Sequence, residues 1–169
     1  MTTPRAILFD LDDTLWPIGP VIARAEQLVH AWLAAHAPRV AEKFSIEQLR
    51  SARMALLEQQ PDYHLDLGAL RRAGLHAAFA EAGEDTTSVE HAMQVYYQAR
   101  NTVEMYEDVL PALEAIGALA VVGSISNGNA DLETIGLAHH FRFSLSAAAH
   151  GSAKPDPAIF LAEIGRAHV

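Results

Sequence analysis

Cysteine is missing from all 169 residues, which excludes disulfides and thiolate metal sites and agrees with a reducing compartment. No apolar stretch approaches the ~20 residues that a membrane-spanning helix needs. The first apolar run is cut by Asp10, so the sequence predicts neither a signal peptide nor a membrane partner, and a cytoplasmic location follows by default. Positive charge is scarce: 12 Lys and Arg stand against 21 Asp and Glu, for a net charge of -9. That balance argues against nucleic acid as a partner, because a polyanion needs a basic surface. A small phosphorylated molecule is still compatible, provided a metal and a lysine reverse the field locally. Half of the residues are hydrophobic, enough to build the core of one ordinary domain or of two small ones.

The most informative segment is Asp10-Leu11-Asp12-Asp13-Thr14, directly after the apolar run Ala6-Ile7-Leu8-Phe9. Such a run before a polar turn reads as a buried strand, and parallel strands present ligands at their carboxyl ends. Side chains two apart in an extended segment share a side, so Asp10 and Asp12 can converge while Leu11 points elsewhere. Two carboxylates that close are costly unless a cation or a shared proton offsets them, which points to a divalent metal.

Between this strand and the next apolar one, Ala118 to Ile125, the sequence reads as almost wholly helical. Val21, Ile22, Ala25, Leu28, Val29 and Trp32 mark one face of a first helix that Pro38 ends. Ser45-Ile46-Glu47-Gln48 has the spacing of a capping box and opens a second helix that runs to Pro61. A third runs from about Asp66 to Ala82 and stops at Gly83. Thr87-Ser88-Val89-Glu90 has capping-box spacing again and precedes a fourth helix. Beyond it a short helix, Leu110 to Ile116, precedes the second strand; a helix near Ala130 to Ile135 and a strand at Phe141 to Leu145 follow. This alternation predicts a parallel sheet of α/β class. Tyr96, Tyr97 and Trp32 read as packing residues, and Arg71 and Arg72 as a solvated helix face rather than a ligand site.

The DxDxT pattern after a strand resembles the first motif of the haloacid dehalogenase superfamily of phosphohydrolases. Ala120-Val121-Val122-Gly123-Ser124-Ile125-Ser126-Asn127 looks like its second motif, and Lys154-Pro155-Asp156-Pro157 with Ala158-Ile159-Phe160 like its third, lysine motif. The resemblance implies a Rossmann-like core split by a helical cap: residues 1–16 open the core, 17–105 form the cap and 106–169 continue the core. It implies Asp10 as a nucleophile forming an aspartyl-phosphate, and Asp12 as the acid and base for leaving group and water. It also implies magnesium held by Asp10 and the main-chain carbonyl of Asp12. Phosphoryl oxygens would be held by Ser126 and the Asn127 amide, with Lys154 neutralising charge. Asp13, where many members have glycine, reads as a turn residue and Thr14 as a loop tie; Ser124 is the competing hydroxyl, two residues inside the strand.

Pro20-Val21-Ile22, Arg24, Glu26-Gln27, Ser126-Asn127-Gly128-Asn129-Ala130 and His150-Gly151-Ser152-Ala153-Lys154-Pro155 sharpen the resemblance to the bacterial branch called YigB. That branch implies hydrolysis of the phosphorylated ribitylaminouracil intermediate of riboflavin synthesis. Three alternatives stay open: a phosphatase for another small ester, such as phosphoglycolate or a nucleotide; a dehalogenase using the same nucleophile; and a fragment or binding protein without catalysis. Asp12 weighs against the dehalogenase, whose branch usually has a different residue there.

The family's fourth motif, an acidic pair after another strand, is expected beyond Val169. Its absence would cost the magnesium site a carboxylate and leave strand Ala6 to Asp10 on an edge, where bare apolar strands invite aggregation. Ile164 to Val169 and a stop can be encoded as ATC GGA AGA GCA CAC GTC TGA, which matches a widely used sequencing adapter. The expectation is that residues 164–169 are artefactual. Resequencing the locus should find an open frame continuing into a strand with Gly-Asp; genomic confirmation of the stop would remove the idea.

Overall fold

The computed structural model describes residues 4–166. The chain divides into two compact units. One holds the residues up to Ile18 together with those from Val103 onward, and the other is the continuous stretch Gly19–Thr102.

The first unit is built on three parallel strands, β1 (Ala6–Phe9), β2 (Val121–Ser126) and β3 (Phe143–Ser146), in the order β1-β2-β3. In register, Phe9 lies beside Ser124, which lies beside Ser144. The chain is therefore α/β, as the alternation of strand and helix signals predicts. Ile125, Leu145 and Ile159 form a small buried cluster against the sheet. Gly123 and Phe143 are register partners, and a Cβ at Gly123 would fall inside the Phe143 ring. Glycine is required there by that close approach, not by its backbone angles. One expectation fails: β1 is not fully buried, since Leu8 is exposed and Ala6, Ile7 and Phe9 are only partly covered. Among the described residues β1 has one strand neighbour, β2, so its other flank lacks the cover that a central parallel strand receives.

Short polar caps end the strands and start the helices. Asp131 accepts from the amides of Glu133 and Thr134 and starts a one-turn helix, Leu132–Ile135, which Gly136 closes at φ 88°. Ser146 accepts from the Ala149 amide and starts Ala147–His150. Asp156 accepts from the Ala158 amide at the head of the helix Pro157–Arg166. This last helix enters the segment suspected to be artefactual; residues 167–169 lie outside the described residues.

Gly19–Thr102 is helical. In chain order, with α1 starting one residue before this unit, its helices are α1 (Ile18–His36), α2 (Pro38–Lys43), α3 (Ile46–Gln59), α4 (Leu67–Ala82) and α5 (Val89–Arg100). Pro38 ends α1, as expected, but it also opens α2 at a position where a missing N–H costs nothing. The Ser45 capping box forms, with the Gln48 amide donating to Ser45 Oγ at 3.2 Å and the Ser45 amide to Gln48 Oε1 at 2.8 Å. The second expected box does not. Asp85 takes the Thr87 amide at 2.9 Å and starts a 3₁₀ turn, while Glu90 turns away to Arg72 at 2.6 Å. Gly83, at φ 69°, closes α4. No described helix is long and apolar enough to cross a membrane.

The buried face of α1 carries Val21, Ala25, Glu26, Val29 and Leu33, of which Ala25, Val29 and Leu33 belong to a core that includes Val40, Phe79, Val89 and Met93. Leu28, expected on that face, lies on its flank and is exposed. Glu26 is the unexpected member. Only 5% of its side chain is exposed. It accepts from Arg50 and from Arg53 (2.7 Å), with Arg71 at 3.5 Å. Arg71, read from sequence as solvated, is buried and lies 3.8 Å over the Tyr96 ring. Its aliphatic stem and flat guanidinium suit it to that place. Burial raises the Glu26 carboxyl, but the hydrogen bonds from Arg50 and Arg53 and the charges of Arg53 and Arg71 outweigh it and hold the group below its ordinary value.

A carboxyl depressed in the folded state contributes stability above the ordinary carboxylate range that is lost as pH falls through its folded value. Glu26→Gln should therefore lower stability near neutrality by about 3 kcal/mol, because it strands buried guanidiniums. It should also flatten the acid limb of the stability profile; urea denaturation followed by circular dichroism across pH checks both.

Candidate active site

Asp10 follows β1, Ser126 closes β2 and Lys154 lies in the loop after β3, so the carboxyl ends of the parallel strands bring together residues far apart in sequence. Lys154 Nζ stands 2.7 Å from Asp10 Oδ1 and donates to the Ile125 carbonyl at 2.9 Å. The Leu11 amide donates to the same Oδ1 at 2.8 Å. Both contacts thus fall on one oxygen of Asp10. Its side chain is 43% exposed, so the carboxylate faces solvent while its bonded oxygen is anchored.

The turn after Asp10 is tightly tied. Leu11 O receives the amides of Thr14 (3.2 Å) and Leu15 (2.8 Å), and the Asp13 amide donates to Trp16 O at 2.8 Å. Asp13 takes φ 59°, a left-handed conformation that Asp tolerates better than most residues. Its Oδ1 accepts from the Ile18 amide at 2.9 Å, at the first residue of α1. These contacts suit Asp13 to the turn. Leu11, Leu15 and Trp16 are buried beneath the loop, and the Trp16 indole N–H donates to Asp12 Oδ1 at 2.9 Å.

On the other strand, Ser126 is buried and its Oγ accepts from the Gly128 amide at 3.0 Å. Ser124, the competing hydroxyl, is fully buried and bonds Ser144 Oγ across the sheet at 2.7 Å, so it serves the strand pairing. Asn127 makes a two-point clamp. Its Nδ2 donates to Lys154 O at 2.9 Å and its Oδ1 accepts from the Lys154 amide at 2.8 Å. The clamp sets the main chain of Lys154, the Ile125 carbonyl steadies the ammonium, and the peptide that follows, Lys154-Pro155, is cis.

Sequence reasoning singled out Asp10, Asp12, Ser126, Asn127 and Lys154, and the strand ends gather all of them into this first unit. It missed what the side chain of Asn127 does and the part of Trp16. An amide side chain before Gly, 27 residues from a lysine it clamps, leaves no local signal. Trp16 had one: an indole four residues after an acid within a turn. The donors that suit a cation here are the Asp10 carboxylate and the Asp12 main-chain carbonyl, both hard oxygens. No group of three or more His, Asp or Glu side chains converges among the described residues. Two protein oxygens still fit magnesium, which keeps several waters and leans on substrate phosphate.

Residues 4–168 match the family model of haloacid dehalogenase-like hydrolases. The chain is 30% identical over 154 residues to the 5-amino-6-(5-phospho-D-ribitylamino)uracil phosphatase YigB of Escherichia coli K12; the match covers 89% of this chain and 64% of that protein. It therefore spans somewhat less than two thirds of this curated relative. Among solved structures, a 2-haloacid dehalogenase of Pseudomonas syringae pv. tomato DC3000 is 38% identical with a TM-score of 0.89, over 98% of this chain and 73% of that one. The HAD-hydrolase YfnB of Bacillus subtilis, 16% identical with a TM-score of 0.62 over 98% of this chain and 73% of that one, shares the fold. With a family match over nearly its whole length and a strand-end site of Asp10, Ser126 and Lys154, this chain belongs to the haloacid dehalogenase-like hydrolases.

Proposed function

We propose that this chain carries the chemistry of a phosphomonoesterase for a small phosphorylated metabolite, working through an aspartyl-phosphate on Asp10. The observation that supports the reading is the meeting of Asp10 and Lys154 at 2.7 Å at the β1 end, with a second acid, Asp12, two residues further along the same tightly tied turn. The Lys154 ammonium offsets charge where a phosphoryl group would meet the nucleophile, and a second acid beside that nucleophile suits proton transfer to and from the leaving group and water.

In the first step an Asp10 oxygen bonds to phosphorus as the ester P–O bond breaks, and the leaving alkoxide takes the proton of Asp12. In the second, Asp12 takes a proton from water, the water oxygen bonds to phosphorus, and the bond to Asp10 breaks. Phosphate leaves and both acids return to their starting forms. Lys154 offsets negative charge on Asp10 and the phosphoryl group, and Ser126 and the Asn127 amide hold phosphoryl oxygens. Magnesium, held by the Asp10 carboxylate and the Asp12 carbonyl, supplies charge neutralisation for a dianionic substrate. The ester on which the Escherichia coli relative acts, the phosphorylated ribitylaminouracil, is the proposed substrate. A second reading, haloacid dehalogenation by the same Asp10, is favoured by the 38% identical Pseudomonas protein; it has no step for the acid Asp12.

Assays of the chain with an aryl phosphate and the ribitylaminouracil phosphate in magnesium, against chloride release from 2-chloropropionate, separate the readings. Phosphate release should occur and should fall by about three orders of magnitude or more in Asp10→Asn, with phosphorylated protein trapped by acid quench only when Asp10 is present. Chloride release without phosphate release would favour the dehalogenase. Asn127→Ala should cost about 1–2 kcal/mol of stability through its two lost bonds and lower kcat/KM at least tenfold (about 1.4 kcal/mol) by freeing Lys154. Unchanged kinetics would remove the clamp from the account.

A further inference from the structure

We infer that the helical unit Gly19–Thr102 holds one small monovalent anion, of the size of chloride, between Arg53 and Arg71. Glu26 Oε1 is shared by the two guanidiniums, with Arg53 at 2.7 Å and Arg71 at 3.5 Å. Their side chains are only 15% and 10% exposed, so water does little to offset their charge. Among the described residues Glu26 is the one carboxylate within ion-pair distance of either. Arg50 also reaches Glu26, on Oε2, but it is half exposed and has Glu47 beside it on α3. The buried part of the cluster therefore carries two positive charges and one negative.

The excess is felt within the cluster. Burial first, and the Arg71 charge second, hold the Arg53 guanidinium below its ordinary value in spite of its bond to Glu26. Arg71 gains partial compensation from the Tyr96 ring 3.8 Å away, but a ring face is a weaker partner than a full charge. It donates no hydrogen bond to a described residue, although a guanidinium carries several N–H groups. Beside these groups is a cavity of about 20 Å³, lined by Glu26, Arg53 and Arg71 with walls from Val29, Leu49 and Leu75. That volume admits one water or one ion of similar size and is too small for phosphate or sulfate. A water would take the hydrogen bonds and leave the charge unbalanced; a cation would add to it. One monovalent anion on the guanidinium side of the cavity answers both the charge count and the volume.

An ion that binds only the folded state raises its melting temperature by mass action, so the test reads stability and does not depend on catalysis. Tm of the full chain would be measured by circular dichroism in sodium chloride and in sodium gluconate, whose anion is too large for the cavity, at equal ionic strength. The chloride-minus-gluconate difference should be larger in the unmodified chain than in Arg71→Met by about 2 °C or more. Arg71→Met leaves Glu26 paired with Arg53 and removes the excess charge, while effects of salt on the rest of the surface stay common to both proteins. In Glu26→Gln, which takes away the competing carboxylate, the difference should exceed that of the unmodified chain. A difference in Arg71→Met as large as in the unmodified chain, or one in Glu26→Gln that is no larger, would overturn the inference. If neither variant folds, broadening of the chloride NMR line by the unmodified chain decides: it should saturate at one chloride per chain, and broadening that is absent or never saturates would equally overturn the site.

Discussion

The contact of Lys154 Nζ with Asp10 Oδ1 at 2.7 Å joins the end of the first strand to a loop 144 positions further along the chain. A partly exposed ion pair of this kind adds little to stability, and its worth lies in placement. The ammonium is set by the Ile125 carbonyl and its main chain by Asn127, so the cation is fixed before any substrate arrives. Electrostatic catalysis depends on such prior arrangement, because charges that need no reorganisation act at full strength in the reaction. The parallel sheet is the frame that makes it possible, since it delivers the three loops to one end.

The opening turn carries two acids, and each is held by named contacts. One oxygen of Asp10 takes a cation and an amide, and Oδ1 of Asp12 takes the Trp16 indole N–H among its contacts. In the proposed mechanism the first is the nucleophile and the second the proton carrier, a pairing of roles that two neighbouring carboxylates of one fold can sustain. Asp13 belongs to neither role: its left-handed backbone and its bond to the Ile18 amide shape the turn that holds the other two.

Much of this was legible before the fold was known, for a physical reason. Asp10 follows a strand, Ser126 closes one and Lys154 lies in the segment after a third, and short continuous apolar runs with polar ends are local signals. The Ser45 box was likewise readable because both of its bonds are three residues apart. What escaped was non-local. Thr87 to Glu90 has the spacing of a box, yet Asp85 and Arg72 compete for its groups and win. Arg71 carries a charge that reads as solvated, and only the burial of Glu26 on α1 explains why it turns inward. β1 reads as buried from composition alone, which cannot say how many neighbours a strand has, whereas its edge position among the described strands is what the family resemblance led to expect. The side-chain clamp of Asn127 and the indole bond of Trp16 depend on geometry that the fold itself creates.

The pairing of Gly123 with Phe143 reaches beyond the present chain. An aromatic ring occupies the space that any side chain at position 123 would need, so neither position can change freely while the other stays as it is. Relatives that carry a larger residue on the second strand should carry a smaller one at the facing site of the third. The two columns of an alignment should therefore covary, preserving the volume between the strands and leaving its division between them to drift.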